Sequence, residues 1–201
     1  MMVTRNKIAE LLSDTPQPFA GERPAYLRDA PSRPASVLML FAEGGSGLEI
    51  LLTKRAQHLR IHAGQVSFPG GKPEANDDSP AFTALREAKE ETGLLTDLVT
   101  VEGYLPPVLT NTNYMVDLTV GFCHEPVNVL DEILRPAPEE VEEVWFAPAN
   151  PLVQLDKFEK HALIKDGQRR QYWQVRNSQP MIWGATAAML RQLAILLDEA
   201  K

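Results

Sequence analysis

Short apolar runs recur along the chain and predict buried β-strands. Two of them, at residues 36–42 and 48–54, flank a glycine-rich turn, which is typical of a β-hairpin. Pro106 and Pro107 are expected to separate two later strands, because proline cannot donate a hydrogen bond to a strand ladder. The predicted strands span residues 36–42, 48–54, 65–68, 98–105, 114–122 and 142–146.

Apolar positions recur with a helical period in three other segments, which predicts helices at residues 3–12, 80–92 and 182–199. The middle helix has the clearest ends. Ser79 is a favourable N-cap, and Gly93 suits the position after the last turn. In the last helix, the residues expected to be buried are Ala185, Ala188, Met189, Leu193 and Leu196.

The order of these elements, with strands interleaved between helices, predicts one α/β domain with a mixed sheet. Residues 1–34 are expected to form a helix and a proline-rich arm packed on that domain, which itself spans residues 35–199. Residues 150–178 have a mixed pattern that predicts no particular element.

Composition narrows the possible functions. The 201 residues include 20 Lys and Arg against 27 Asp and Glu, so the net charge is −7. An acidic chain is a poor general binder of nucleic acid, and phosphate binding would depend on local basic groups or metal ions. No apolar run approaches the roughly 18 residues of a membrane span, the N-terminus does not resemble a signal peptide, and Cys123 is the single cysteine. We therefore expect a cytoplasmic monomer or homodimer without membrane partners.

The strongest local signal lies in the predicted middle helix. Glu87, Glu90 and Glu91 fall within about 100° of its circumference, where like charges repel one another. A divalent cation such as Mg²⁺ would offset this repulsion, since it prefers oxygen ligands. Gly70 and Gly71 precede the helix and allow the backbone to approach a phosphate or a metal. The alternative is a solvated acidic face beside an ordinary turn.

Residues 86–94 resemble the Nudix box of the Nudix hydrolases. The usual box reads Gly, five residues, Glu, seven residues, then Arg-Glu-apolar-X-Glu-Glu-X-Gly-apolar, and the second half matches at every defined position. The first half departs from the box. Counted back from Arg86, the first Glu position falls on Asp78, and the spacing from Gly71 is one residue too long.

A cationic segment precedes the box in this acidic chain. Residues 51–71 resemble the motif of the coenzyme A pyrophosphatases within the Nudix family, Leu-Leu-Thr-X-Arg-(Ser or Ala)-X₃-Arg-X₃-Gly-X₃-Phe-Pro-Gly-Gly. Residues 182–187 also look like the segment that opens the last helix in that subfamily. For any one of these residues, the alternative is a solvated loop or ordinary core packing. The matching residues are Leu51, Leu52, Thr53, Arg55, Ala56, Arg60, Gly64, Phe68, Pro69, Gly70 and Gly71.

The resemblance implies a Nudix-type α/β/α sandwich with a mixed β-sheet between helices. It also implies a Mg²⁺- or Mn²⁺-dependent hydrolase of a small-molecule substrate. The diphosphate bridge of coenzyme A or its thioesters would be cleaved to 3′,5′-ADP and (acyl-)4′-phosphopantetheine. The implied metal ligands are Glu87, Glu90, Glu91 and the carbonyl of Gly70.

The same resemblance implies roles for the other site residues. Arg86 orients a helix carboxylate, while Arg55 and Arg60 contact phosphates, including the 3′-phosphate of coenzyme A. The general base is a glutamate of the helix or of a later loop, where we select Glu140 from the cluster at 139–143. The implied catalytic residues are Glu90, Glu91, Arg86 and Glu140, and the implied substrate-binding residues are Arg55, Arg60, Gly64, Phe68 and Gly71.

Two other functions compete with this prediction. One is a Nudix hydrolase of another nucleoside diphosphate derivative, such as ADP-ribose or a nucleotide sugar. The other is a non-catalytic module that senses a coenzyme A-like ligand. Three clustered carboxylates disfavour the sensor, because a simple binder has little use for them.

Overall fold

The computed structural model describes residues 2–165 and 167–200. In these residues, runs of one to four consecutive strands are separated by helices. The strands are β1 (Arg33–Gly44), β2 (Gly47–Arg55), β3 (Val66–Ser67), β4 (Gly70–Gly71), β5 (Val99–Leu109), β6 (Tyr114–Cys123), β7 (Val141–Pro148), β8 (Phe158–Lys165) and β9 (Gln168–Val175). The helices are α1 (Arg5–Ala9), α2 (Pro80–Thr92), α3 (Val127–Ile133), α4 (Ala149–Leu152) and α5 (Ala185–Glu199).

Seven strands form one mixed sheet in the order β3-β2-β1-β6-β5, with β7 on β2 and β4 on β1. β1 and β6 run parallel, whereas the other pairs are antiparallel. The two halves of β1 have different partners on one side, since Val37 pairs with Gly70 of β4 and Phe41 pairs with Ile50 of β2. This division opens the sheet between β2 and β4. β8 and β9 form a separate two-stranded sheet.

The large sheet is buried on both faces, because alternate residues of its central strand enter two different cores. Met39 and Phe41 pack in the core that also holds α5 and α1. Leu38 and Leu40 pack in the core that holds α2 and α3. All four side chains are fully buried. The predicted fold class, a mixed sheet between helices, is therefore confirmed.

Helix α2 begins and ends where its sequence predicts. The Ser79 side chain accepts a hydrogen bond from the backbone N–H of Phe82 at 3.1 Å, and Pro80 takes the first helical position. Gly93 ends the helix at φ +71°, where a side chain would be strained. These caps fix the length of the helix that carries the three glutamates.

The structure departs from the predicted elements in three places. β5 continues through Pro106 and Pro107, because it is an edge strand whose register to β6 shifts between Leu105 and Val108. The first helix is shorter than predicted and covers only Arg5–Ala9. Helix α3 lies in a segment where no element was predicted.

Helix α5 is rotated relative to the predicted buried face. Met189 and Leu193 are buried as predicted, but Ala185 is exposed, and Ala188 and Leu196 are half-buried. The face that packs on the sheet instead consists of Thr186, Ala187, Met189, Leu190, Leu193, Ala194 and Leu197. The helix also begins later than predicted, at Ala185, because Ile182 is buried in a non-helical segment before it.

The N-terminal segment is attached to the sheet at several points. Ile8 of α1 is fully buried in the larger core. Ser13 exchanges two backbone hydrogen bonds with Tyr104 of β5, at 2.9 and 3.1 Å. The division of the chain at residue 35 stays a prediction. In the described residues, no helix is long and apolar enough to span a membrane.

Candidate active site

The three glutamates of α2 have different environments. Glu91 is only 4% exposed, Glu87 is half-buried, and the Glu90 side chain is 57% exposed. The difference follows from the helix geometry, since Glu90 and Glu91 lie on opposite sides of Glu87 around the helix axis. Helix α2 packs against β4, so Glu91 is covered, whereas Glu90 is on the side that faces solvent. The alternative interpretation, a solvated acidic face, therefore holds for Glu90 but not for Glu91.

Gly70 and Gly71 allow the backbone to lie directly against these carboxylates. The N–H of Gly70 donates to Glu91 Oε2 at 3.1 Å. A Cβ at Gly71 would lie 2.3 Å from Glu87 Oε1, and a Cβ at Gly70 would lie 2.4 Å from the carbonyl oxygen of Ser36. A side chain at Gly70 would clash with the backbone of β1, whereas a side chain at Gly71 would displace the Glu87 carboxylate. Gly70 is thus required by close approach to β1 and by its φ of +156°.

Burial dominates the ionisation of the two inner carboxylates. It raises the pKa of Glu91 to about 7, although the Gly70 N–H and the Arg55 guanidinium favour the charged form. The neighbouring charges of Glu87 and Glu140 raise it further. Burial also raises the pKa of Glu87. Desolvated carboxylates that repel one another are a chemically suitable donor set for a hard divalent cation.

Arg86 organises the outer part of the cluster. Its guanidinium donates to Asp77 Oδ2 at 2.9 Å, to Glu87 Oε1 at 3.1 Å and to Glu90 Oε2 at 3.0 Å. It also donates to the carbonyl oxygen of Lys72 at 3.0 Å. Arg86 therefore contacts helix carboxylates and the glycine loop, and its role in orienting a helix carboxylate for catalysis stays a prediction.

The acidic partner of Arg86 is Asp77, not Asp78. The side chain of Asp77 is 1% exposed, and it accepts from Arg86, from the N–H of Glu74 and from the Thr83 hydroxyl. These donors, with Arg86 first, hold the pKa of Asp77 well below its usual range. Asp78 is exposed. The usual box places five residues between its first glycine and its first acidic residue. Counting five residues forward from Gly71 ends at Asn76, so the acidic position is Asp77. The extra residue of this sequence therefore lies between Asp77 and Arg86.

The ability of the site to hold a metal depends on side-chain rotation. Within residues 2–165 and 167–200, no three His, Cys, Asp or Glu side chains converge as a ready cation cage. Glu87 and Glu90 point to Arg86 instead. All three glutamates nevertheless lie on adjacent turns of one helix, and Glu91 contacts the Gly70 backbone. The oxygen donors fit Mg²⁺ or Mn²⁺ by type.

Glu140 lies close to the inner carboxylates. Its charge acts on both Glu87 and Glu91 and raises the pKa of each. Its backbone carbonyl accepts from the N–H of Ala56 at 2.9 Å, which ties its loop to the residue after Arg55. Glu140 is exposed and thus accessible to water. These are the conditions that a general base needs, although its role stays a prediction.

A cavity of about 800 Å³ adjoins the carboxylates. Its walls come from the glycine loop, the β5–β6 turn, the β8–β9 hairpin, the start of α5 and Pro24 and Tyr26 of the arm. None of the described lining residues is Asp or Glu, although the chain carries a net charge of −7. The cations in the lining are Arg55, Lys72, Lys160, Lys165, Arg169 and Arg170. The aromatic residues in it are Tyr26, Phe68, Tyr114, Tyr172, Trp173 and Trp183.

The predicted substrate residues divide into two groups around this cavity. Arg55, Phe68 and Gly71 line it, and Arg55 Nη1 lies 3.7 Å from Glu91 Oε1. Gly64 and Arg60 do not belong to its lining, and Arg60 is exposed. Gly64 adopts φ +66° and donates its N–H to the carbonyl of Arg55 at 3.0 Å, so it acts on the cavity by closing the loop behind Arg55.

Comparison with known proteins agrees with this geometry. Residues 31–166 match the NUDIX domain family. The protein named uncharacterized Nudix hydrolase NudL from Enterobacter sp. (strain 638) is 32% identical over 173 residues, which cover 86% of this chain and 88% of that protein. Its namesake from Escherichia coli (strain K12) is 37% identical over 146 residues, 73% of each chain.

Solved structures are similar at a lower level. A Nudix hydrolase from M. smegmatis, RenU, is 22% identical with a TM-score of 0.48 and covers 59% of this chain and 72% of its own. A NUDIX hydrolase from Alicyclobacillus acidocaldarius is 21% identical with a TM-score of 0.47 and covers 84% and 93%. From the domain match and the NudL relatives, the chain belongs to the Nudix hydrolase family.

Proposed function

We propose that this Nudix hydrolase cleaves the diphosphate bridge of coenzyme A or its thioesters to 3′,5′-ADP and (acyl-)4′-phosphopantetheine. The observation that carries the proposal is the cavity beside Glu91, which is lined by cations and aromatic rings and by no described carboxylate. A ligand with several phosphates and an aromatic base is complementary to such a lining. The coenzyme A pyrophosphatase-like segment at 51–71 supplies Arg55, Phe68, Gly70 and Gly71 to the same wall.

The glutamates of α2 and the Gly70 carbonyl would hold Mg²⁺ or Mn²⁺. When bound there, the ion neutralises diphosphate charge and makes a coordinated water more acidic. Arg55 stands at the boundary between the carboxylates and the cavity, where it can contact the diphosphate beside the metal ligands. Arg86 keeps Glu87 and Glu90 oriented and does not line the cavity.

Glu140 is the group that we assign to the attacking water. The water oxygen forms a new bond to phosphorus, its proton passes to the Glu140 carboxylate, and the bond from phosphorus to the bridging oxygen breaks. The bridging oxygen leaves on the other phosphate, whose charge Arg55 can stabilise. Glu140 is exposed, so it can return the proton to solvent and begin another cycle.

Product analysis tests this proposal directly. The protein is incubated with coenzyme A and either Mg²⁺ or Mn²⁺, and the products are separated by chromatography. We expect 3′,5′-ADP and 4′-phosphopantetheine, and no products when a chelator is added. Acyl-coenzyme A thioesters, ADP-ribose and a nucleotide sugar run in parallel rank the substrates.

Each competing function gives a different result in the same experiment. Preferred cleavage of ADP-ribose or of the nucleotide sugar would identify that compound, rather than coenzyme A, as the substrate. Binding of coenzyme A with no cleavage of any compound, under varied metal and alkaline pH, would identify a sensor and contradict the proposed activity.

A further inference from the structure

The cations that line the cavity have unequal roles. Arg55 faces Glu91, and Arg170 is held between the Asn111 carbonyl at 3.5 Å and the Tyr26 ring at 5.1 Å. Lys165 and Arg169, on the β8–β9 hairpin, are both exposed. Within the part of the chain that the structure describes, neither forms an ion pair.

Some cations outside the cavity are held by an acidic neighbour. Arg5 pairs with Glu102, Lys54 with Glu142 at 2.8 Å, and Arg176 with Glu159 at 2.8 Å. Arg176 follows β9 directly, so the same hairpin has a paired cation at its base and two unpaired ones near its tip. Unpaired cations that line a cavity in an acidic chain favour an anionic ligand at that place.

The hairpin is fixed over a part of the cavity that is separate from the carboxylates. Asn111 Nδ2 donates to the carbonyl of Gln171 at 2.6 Å, which fastens β9 to the β5–β6 turn. On β1, Ser36 pairs with Gly71. Arg33, three residues earlier on the same strand, pairs with Tyr114, which lies beside the β5–β6 turn. Three strand residues span about 10 Å. An anion at the hairpin is therefore bound apart from a diphosphate at Gly71 and Glu91.

We infer that Lys165 and Arg169 bind a second phosphate of the substrate, the monoester at the 3′ position of the ribose, so that the β8–β9 hairpin selects coenzyme A over nucleotides without that group. This inference rests on the proposed function, because only a substrate with a phosphate remote from its diphosphate needs both sites. It assigns the 3′-phosphate to the hairpin and leaves Arg55 to the diphosphate. Arg60 lies outside the cavity lining and is not required for this contact.

Kinetics with paired substrates test the inference. Coenzyme A and 3′-dephospho-coenzyme A differ only in the group concerned. We expect the double variant Lys165→Ala/Arg169→Ala to raise KM for coenzyme A about tenfold or more, the size of one or two lost charge-assisted hydrogen bonds, and to change KM for the dephospho compound less than twofold. Both residues are exposed, so folding should persist, and the melting temperature verifies this. Arg176→Ala is the matched control, because it removes a paired cation of the same hairpin.

Equal loss for both substrates, or no loss for coenzyme A, would overturn the inference. The same holds if Arg60→Ala, rather than the hairpin double variant, removes the preference for coenzyme A.

Binding of reaction products separates this inference from the proposed activity. Calorimetry compares 3′,5′-ADP with 5′-AMP on the wild-type protein and on the double variant. We expect tighter binding of 3′,5′-ADP and loss of that preference in the variant. Preference without any hydrolysis of coenzyme A would support the subsite and refute the activity. Hydrolysis of coenzyme A without such a preference would support the activity and refute the subsite.

Discussion

The carboxylate cluster around Glu91, Asp77 and Arg86 is the acidic end of the site. It differs from the β8–β9 hairpin in how its charges are held. Glu91 is buried against the Gly70 N–H, and Asp77 and Arg86 satisfy one another in a nearly solvent-free network. Lys165 and Arg169 are exposed on a hairpin that extends from the core. Charges fixed in advance suit a reaction that stabilises a transition state, whereas exposed charges that line a cavity are available to an anionic ligand.

This difference predicts different consequences for mutations in the two regions. Changes at the acidic end should act on turnover and on folding together, because the same carboxylates serve both. Changes at the hairpin should act on KM and leave stability unchanged.

The largest effect is expected for Glu91→Gln. Gln can keep the hydrogen bond to the Gly70 N–H, but it removes the anionic oxygen beside Glu87. We expect kcat for coenzyme A to fall by at least about 100-fold at saturating Mg²⁺, as for loss of a group that acts mainly in the transition state. Steady-state product formation measures it. A change of less than about threefold would show that Glu91 is structural and would remove the distinction between the two regions.

A smaller loss is expected for Glu140→Gln. A general base contributes about 10²-fold at the lower end of its range, and water can replace it in part. Glu139→Gln is the matched control, because it neutralises the adjacent exposed glutamate of the same loop. We expect a loss of about 30- to 100-fold in kcat for Glu140→Gln, with a flattened dependence of rate on pH, and little change for Glu139→Gln. Equal effects of both variants would assign the function to the overall charge of the loop.

The next effect is on stability and concerns Asp77. Asp77→Asn leaves Arg86 without its main anionic partner in a nearly buried position, whereas Asp78→Asn changes an exposed side chain. We expect the melting temperature to fall by several degrees for Asp77→Asn and to remain near the wild-type value for Asp78→Asn. Thermal unfolding followed by circular dichroism measures both. The reverse order would show that Asp78, and not Asp77, supports the Arg86 network.

The sequence predicted best those features that depend on short segments. The limits of α2 follow from Ser79 and Gly93, which act within one helical turn of each end. The glycine pair and the three glutamates are close in sequence, so their meeting was predictable too. The identity of the Arg86 partner was not, because a one-residue insertion in the box can be placed on either side of Asp77.

The hairpin escaped prediction because tertiary contacts decide its environment. Its strands do not alternate strictly between apolar and polar residues, and its charged positions line a cavity formed by distant segments. One local signal was present. The dipeptide Asp166-Gly167 separates the two strand sequences, and Asp-Gly is a common hairpin turn; Asp166 itself lies outside the described residues. The rotation of α5 escaped prediction for a similar reason, since tertiary packing decides which of its many apolar residues face the sheet.

The last predicted effect is a pH dependence of folding that should distinguish the buried Glu91 carboxylate from all exposed charges. Burial raises the pKa of Glu91 to about 7 in the folded protein, against about 4.5 for an ordinary glutamate. Between these values the folded state binds more protons than the unfolded state, so stability falls as the pH rises through this range. Below about pH 4.5 the carboxyl is protonated in both states, and its contribution is constant.

Glu91→Gln should therefore be more stable than the wild type above pH 7 and equal to it below about pH 4.5. The gain should be at most about 3 kcal/mol, because each unit by which the folded pKa exceeds 4.5 corresponds to about 1.4 kcal/mol and the attraction of Arg55 is already included in that pKa. Denaturant unfolding of both proteins from pH 4 to 8, with a chelator present, measures the difference. Added Mg²⁺ at pH 8 should then stabilise the wild type more than the variant, since a cation favours the ionised carboxylate. If Glu91→Gln raised the free energy of unfolding by the same amount at every pH, packing and not charge would distinguish the acidic end of the site from the hairpin.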